Sequence, residues 1–168
     1  MELRPTTELL RECRSEAFHL EVLDTYGVPD EDEAFRAFVN GEPYDYRAWF
    51  HDWYTFVEDL MADGVSVSRV RVVTVPHSDY QRWSLVIAAL NVEAGEDIRY
   101  LPRHLAGEVP TDDYWLLDNK AVAFNLSDND GRGTGSSAVT TDPVIVGQCL
   151  RIKERLWGMS TPYPEYAQ

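Results

Sequence analysis

The chain has 168 residues, 44% apolar and 26% charged, the proportions of a globular chain with a sizeable core, which excludes disordered and fibrous classes. Its net charge of −14 repels phosphate polymers, so no direct nucleic-acid binding is expected of the surface as a whole. No apolar run reaches the ~18 residues of a membrane span, Met1-Glu2-Leu3-Arg4-Pro5 is no signal-peptide start, and Cys13 and Cys149 stand in no metal or redox spacing; the expectation is a cytoplasmic protein with unpaired thiols, no membrane contact and no cofactor.

Residues 6–16 read as a first helix, with Thr6 or Thr7 as N-cap before Leu9, Leu10 and Cys13. Phe18, Leu20 and Val22 then alternate with His19 and Glu21, the pattern of a short strand. Val28-Pro29 breaks the chain, and Asp30, Glu31, Asp32 and Glu33 fill a helical first turn where carboxylates complement the helix dipole. Phe35 and Phe38 give that helix its apolar face, and Gly41-Glu42-Pro43 ends it.

Tyr46, Trp49, Phe50, Trp53, Phe56, Val57 and Leu60 recur at spacings of three and four and predict a helix from Asp45 to Ala62, closed by Gly64. An aromatic stripe of this kind reads as core. The β-branched run from Val65 to Val75 predicts a central strand stopped by Pro76. A helix follows from Ser78 to about Val92, where Ser78 and Gln81 fit a capping box. Gly95 ends it, and 97–101 returns as a strand, so that strand, helix and strand form a parallel pair with a right-handed crossover. Two strands at 114–117 and 121–126, a turn at 127–131 and a strand at 136–140 continue the chain. Asp142 as N-cap and Pro143 at the first helical position open a last helix to Trp157. The tail 159–168, with Pro162 and Pro164, reads as irregular.

Charge is unevenly spread. Residues 1–63 hold 16 acids and 5 bases, residues 64–104 hold 4 acids and 5 bases, and residues 105–168 hold 9 acids and 5 bases. The reading is an acidic, mainly helical N-terminal subdomain over 1–63, an α/β domain over 64–158 with a mixed sheet flanked by helices, and a tail over 159–168. The cluster Asp30, Glu31, Asp32 and Glu33 is the candidate contact for a basic partner, with a solubilising face as the plain alternative.

His77 falls where a strand ends and a helix begins, the place where open α/β sheets bind ligands and where free backbone N–H groups favour an anion. Arg71 lies on that strand, and Arg99 and Arg103 flank the end of the next one. With Ser78, Tyr80, Arg82 and Asp118 they make a candidate site for an anionic small molecule, unless the arginines pair with the surface acids. His77-Ser78-Asp79 cannot be a triad, because neighbouring side chains project in different directions. Asp128-Asn129-Asp130-Gly131 resembles a calcium loop, but Val139 stands where the twelfth-position Glu belongs, so a hairpin turn is the reading. Were the chain an enzyme, Tyr80, His77 and Asp118 would be its acid–base groups.

Pro76-His77-Ser78-Asp79-Tyr80, Glu96-Asp97-Ile98-Arg99-Tyr100-Leu101-Pro102-Arg103, Asp113-Tyr114-Trp115-Leu116-Leu117-Asp118 and Glu16-Ala17-Phe18-His19-Leu20-Glu21 resemble the signatures of an uncharacterised actinomycete domain family of about this length. That resemblance covers nearly the whole chain and implies a bacterial cytosolic protein whose genes often lie near helix-turn-helix regulators; it implies no activity. The element order from Val65 to Trp157 is similar to one half of the phospholipase D-like fold, whose motif is H-x-K-x-x-x-x-D. Laying its Asp on Asp118 puts Thr111 at the nucleophilic His and Asp113 at the Lys. The resemblance therefore implies a member without that chemistry, since phosphoryl transfer by this route needs the His as nucleophile and the Lys to hold the phosphoryl oxygens. The expectation is a non-catalytic regulatory or accessory protein acting through a partner, with a basic helix-turn-helix regulator as the candidate. The alternatives are a sensor of an anionic nucleotide or phosphorylated metabolite and an enzyme of unrecognised mechanism.

Overall fold

In the computed structural model, which describes residues 1–168, the alternating segments assemble into one eight-stranded mixed sheet. In chain order the elements are β1 (Glu2–Pro5), α1 (Thr6–Glu12), β2 (Glu16–Glu21), a 3-10 turn (Pro29–Glu31), α2 (Asp32–Val39), α3 (Tyr46–Ala62), β3 (Ser66–Val73), α4 (Asp79–Ala94), β4 (Asp97–Pro102), α5 (Arg103–Ala106), β5 (Tyr114–Leu117), β6 (Ala121–Ser127), β7 (Gly133–Thr140), α6 (Pro143–Met159), β8 (Thr161–Pro162) and α7 (Tyr163–Tyr166). The strand order is β1-β7-β6-β5-β2-β3-β4-β8. β2, β3 and β4 run parallel, and every other neighbour is antiparallel.

The two-residue period of the strands sorts their side chains onto two covered faces. Phe18, Leu20, Val22, Val70, Val72, Leu101, Tyr114, Leu116 and Val122 meet Val146, Cys149 and Leu156 of α6. On the opposite face Ala17, Val67, Trp115, Leu117 and Ala123 meet Val57 and Leu60 of α3. Beside them Ala34, Phe50, Tyr80, Trp83 and Ile87 join α2, α3 and α4 in an aromatic cluster. Caps fix the helix starts: Asp45 accepts from Ala48 N at 3.0 Å, Ser78 from Gln81 N at 3.2 Å, and Asp142 from Val144 N at 2.8 Å. Gly95, at φ +119°, closes α4 in a conformation that a side chain would strain.

Several expectations shift. The first helix ends at Glu12, and Glu16 already belongs to β2. The capping box is only half formed, because the Gln81 side chain donates to Leu23 O instead of turning back on Ser78. β7 begins at Gly133. β1 was not foreseen and pairs with β7 at an edge of the sheet. The tail is ordered: Thr161–Pro162 pairs with Arg99 and Tyr100 of β4, and Tyr163 and Tyr166 pack on the cluster around Tyr100. The boundary expected at residue 63 falls between α3 and β3, and both flanks share one sheet, with β2 of the first third between β3 and β5. Cys13 and Cys149 are free and buried, and burial pushes the Cys13 thiol up to about 12. No helix is long and apolar enough to cross a membrane.

Candidate functional site

The face of the sheet under α3 and α4 is filled only in part by apolar side chains. Register puts His19 beside Arg69 and Glu21 beside Arg71, and sets Trp115 opposite His19. Above them are two adjoining cavities of about 620 and 630 Å3 that share Glu21, Val28, Asp30, Glu31, Trp53, Tyr80 and Trp115 as walls. The first extends toward Asp113, Asn125 and the start of α1; the second runs between α3 and α4 past Trp49, Trp83 and Asn91. The segment from Leu23 to Glu31 forms one wall at the carboxyl end of β2.

Arg69 anchors the floor. Its Nε and Nη2 donate to Glu96 Oε1 at 3.0 and 2.8 Å, and its Nη1 to Glu21 Oε1 at 3.4 Å. Its guanidinium lies 5.6 Å from the Trp115 ring centre and 5.9 Å from that of Trp53. Arg71 donates from Nε to Glu21 Oε2 at 2.5 Å and from Nη1 to Tyr100 OH at 3.0 Å. The other Glu96 oxygen accepts from Trp53 Nε1 at 3.0 Å and from Asn91 Nδ2. Two arginines and two glutamates thus neutralise one another in a buried network, the condition under which buried charge is tolerated.

Burial opposes ionisation of Glu21, but Arg71 and Arg69 outweigh it and hold the carboxylate down at about 2. Burial lowers His19 to about 3, so its ring is neutral at pH 7. An arginine can only donate, so His19 Nδ1 accepts from Arg69 Nη1 at 3.3 Å and Nε2–H donates to Asn125 Oδ1 at 3.2 Å. The same ring stacks on Trp115 at 4.2 Å, nearly parallel. Tyr80 OH donates to Glu31 Oε1 at 2.7 Å. Burial, only partly offset by that bond, raises Glu31 to about 7, and burial with the nearby charge of Glu21 raises Asp113 to about 6. Two of the residues around the second cavity, Trp83 and Asn91, each keep a polar atom, Nε1 and Oδ1, buried without a partner.

A family model described as a domain of unknown function, DUF6879, matches residues 5–168. The chain belongs to that family. The DUF6879 match takes in every residue that lines the two cavities, from Thr6 to Ser136. No curated protein matches the chain.

In this DUF6879 chain the arginines expected to hold an anion are occupied elsewhere, and of the expected site only Arg71, Tyr80, Asp30 and Glu31 line the cavities. His77 Nδ1–H donates to Thr74 O at 3.1 Å, and its Nε2 accepts from Tyr166 OH at 2.8 Å. Ser78 caps α4 and donates to Asp24 O at 2.7 Å. Arg82 pairs with Asp79 and donates to His77 O at 2.8 Å. Arg99 pairs with Asp97 and lies 3.9 Å over the Trp157 ring. Arg103 donates to Val22 O at 2.5 Å, a carbonyl at the end of β2.

Asp118, at φ +52° in the β5–β6 turn, accepts from Arg14 N, Ser15 N, Ser15 Oγ and Glu16 N at 2.8–3.0 Å. Burial opposes its ionisation, yet those donors hold it down at about 2. It sits by the start of β2 and β3, whereas His77 follows the end of β3, roughly 20 Å of strand away. The three acid–base candidates are therefore not brought together. Of the acid cluster, Asp32 pairs with Arg132 at 2.6 Å, Glu33 is exposed, and Asp30 and Glu31 belong to the cavity wall.

His19, Glu21, Arg69, Glu96 and Trp115 went unread as a site. Their signal was a polar residue at every second position of two strands, His19-x-Glu21 and Arg69-x-Arg71. On a sheet covered on both faces, that pattern marks a buried polar patch.

Proposed function

We propose that this DUF6879 protein is a non-catalytic regulatory or accessory protein that binds a small molecule between the sheet and helices α3 and α4. The observation that carries this reading is a cavity walled by aromatic rings, two of whose surrounding residues, Trp83 and Asn91, each hold a buried polar atom without a partner. Each such atom costs about 1–3 kcal/mol when left unpaired, and an aromatic cleft with a few convergent polar groups is the usual form of a ligand site. The charged floor is internally saturated, which suits holding a ligand rather than moving a proton. The phospholipase D-like resemblance supports the same reading as a fold analogy: Thr111 and Asp113, at the positions of its His and Lys, line the cavity without the chemistry.

A thermal-shift panel of metabolites tests the reading. A ligand at a hundredfold its dissociation constant adds about 2.7 kcal/mol, roughly 5–10 °C in Tm for a chain of this size. The rise should vanish in Ser84→Phe, whose ring fills the cavity beside Trp83. A panel without any hit, or a rise that survives Ser84→Phe, counts against the site.

The partner reading is compatible with this one and is favoured by the exposed carboxylates Asp30, Asp32 and Glu33, of which Asp30 also lines the cavity. The resemblance to a family encoded beside helix-turn-helix regulators supports a basic DNA-binding regulator in the cytoplasm as that partner. Such a complex weakens steeply with salt; an affinity unchanged between low and high salt would remove the electrostatic version.

A further inference from the structure

Resting on the ligand-binding reading, we propose that the cavity takes an organic cation: an ammonium, amidinium or guanidinium group carried on a flat or apolar frame. The two basic side chains on its walls, Arg69 and Arg71, are engaged by Glu96 and Glu21. The remaining ionisable acids on those walls, Asp30, Glu31, Asp52, Asp112 and Asp113, form no ion pair. An incoming anion would meet five unpaired carboxyl groups and no free base. An incoming cation stabilises the ionised forms of Glu31 and Asp113, which burial disfavours, since an opposite charge nearby favours the ionised form.

The walls add a second, independent reason. Trp49, Trp53, Tyr80, Trp83 and Trp115 surround the space, and aromatic faces attract cations. The protein already uses these rings in that way, with the Arg69 guanidinium between Trp53 and Trp115. Asn91, beside the same space, keeps its Oδ1 buried and without a partner.

Three probes of one size and different charge decide the matter: phenethylammonium, 2-phenylethanol and phenylacetate, titrated at pH 8 and followed through the tryptophan indole N–H signals of the 15N-labelled chain. The expected result is phenethylammonium binding at least about tenfold tighter than the alcohol, a difference of about 1.4 kcal/mol, with phenylacetate weaker again. That preference should fall several-fold in Glu31→Gln with Asp113→Asn. Should that pair fail to fold, the exposed Asp30→Asn with Asp52→Asn gives the same readout. Alcohol or phenylacetate binding as tightly through the same indoles overturns the cation assignment and leaves the ligand site standing. A cation preference untouched by either pair of variants also overturns it. No indole movement with any probe at about 10 mM, a concentration that would reveal even millimolar binding, overturns both the cation assignment and the ligand site.

Discussion

At the scale of single residues, Glu31 carries the clearest consequence. Its ordinary carboxyl value is 4.5 and burial raises it to about 7, so the folded state holds a proton that the unfolded chain has already lost. Between those values the folded state binds more protons, and its contribution to stability falls as pH rises from about 4.5 through about 7. The full loss is about 3 kcal/mol above pH 8. Glu31→Gln keeps an acceptor for Tyr80 and removes the titration, so the variant should be more stable than the parent at pH 8 by about 3 kcal/mol and nearly equal at pH 4. Urea unfolding at the two pH values measures both; an equal increment at each would show that ionisation is not the cause. Asp118 has the opposite sign. Its stabilisation is present above its ordinary 3.8 and fades as pH falls through about 2, as suits a carboxylate that ties the α1–β2 connection to the β5–β6 turn. Sequence reading placed Arg71, Tyr80, Asp30 and Glu31 among its candidates but assigned them to separate sites. Nothing local in the sequence says that Tyr80 reaches Glu31, 49 positions away.

Elements with strong internal periodicity were legible. The aromatic spacing of α3, the capped start of α4 and the Asp-Pro opening of α6 all sit in contiguous sequence, and these helices form where expected. β1, β8 and α7 have two to four residues each, too short for any period, and exist because a neighbouring strand or cluster supplies partners. The tail shows what such partners contribute. Tyr166 stacks on Tyr100 at 4.7 Å, almost parallel, and its hydroxyl bonds His77. Tyr100 in turn receives Arg71 from the cavity floor. Tyr166→Ala should therefore lower stability by about 1–2 kcal/mol. Tyr166→Phe, which keeps the stacking, should lose less than half of that. Equal losses in the two variants would place the whole effect in the hydroxyl.

At the scale of the molecule, the uneven charge was legible and its meaning was not. The first third reads as an acidic lobe because its acids outnumber its bases by 16 to 5; in the fold, β2 from that segment is an inner strand of the sheet, and Glu21 and Glu31 from it complete the cavity. Composition counts charges without saying which of them are spent on each other, and the buried Arg69, Arg71, Glu21 and Glu96 are spent in that way. The architecture also supplies its own control. Four of the five tryptophans, Trp49, Trp53, Trp83 and Trp115, line the cavity, while Trp157 lies on the other face of the sheet against Phe18 and Arg99. The measurement that tests the central claim most directly is the indole N–H spectrum of the labelled protein during titration with the best thermal-shift ligand. The account predicts that the signals of the four cavity tryptophans move together while Trp157 stays in place. Movement of Trp157 alone, or of none of the five at saturation, would contradict it.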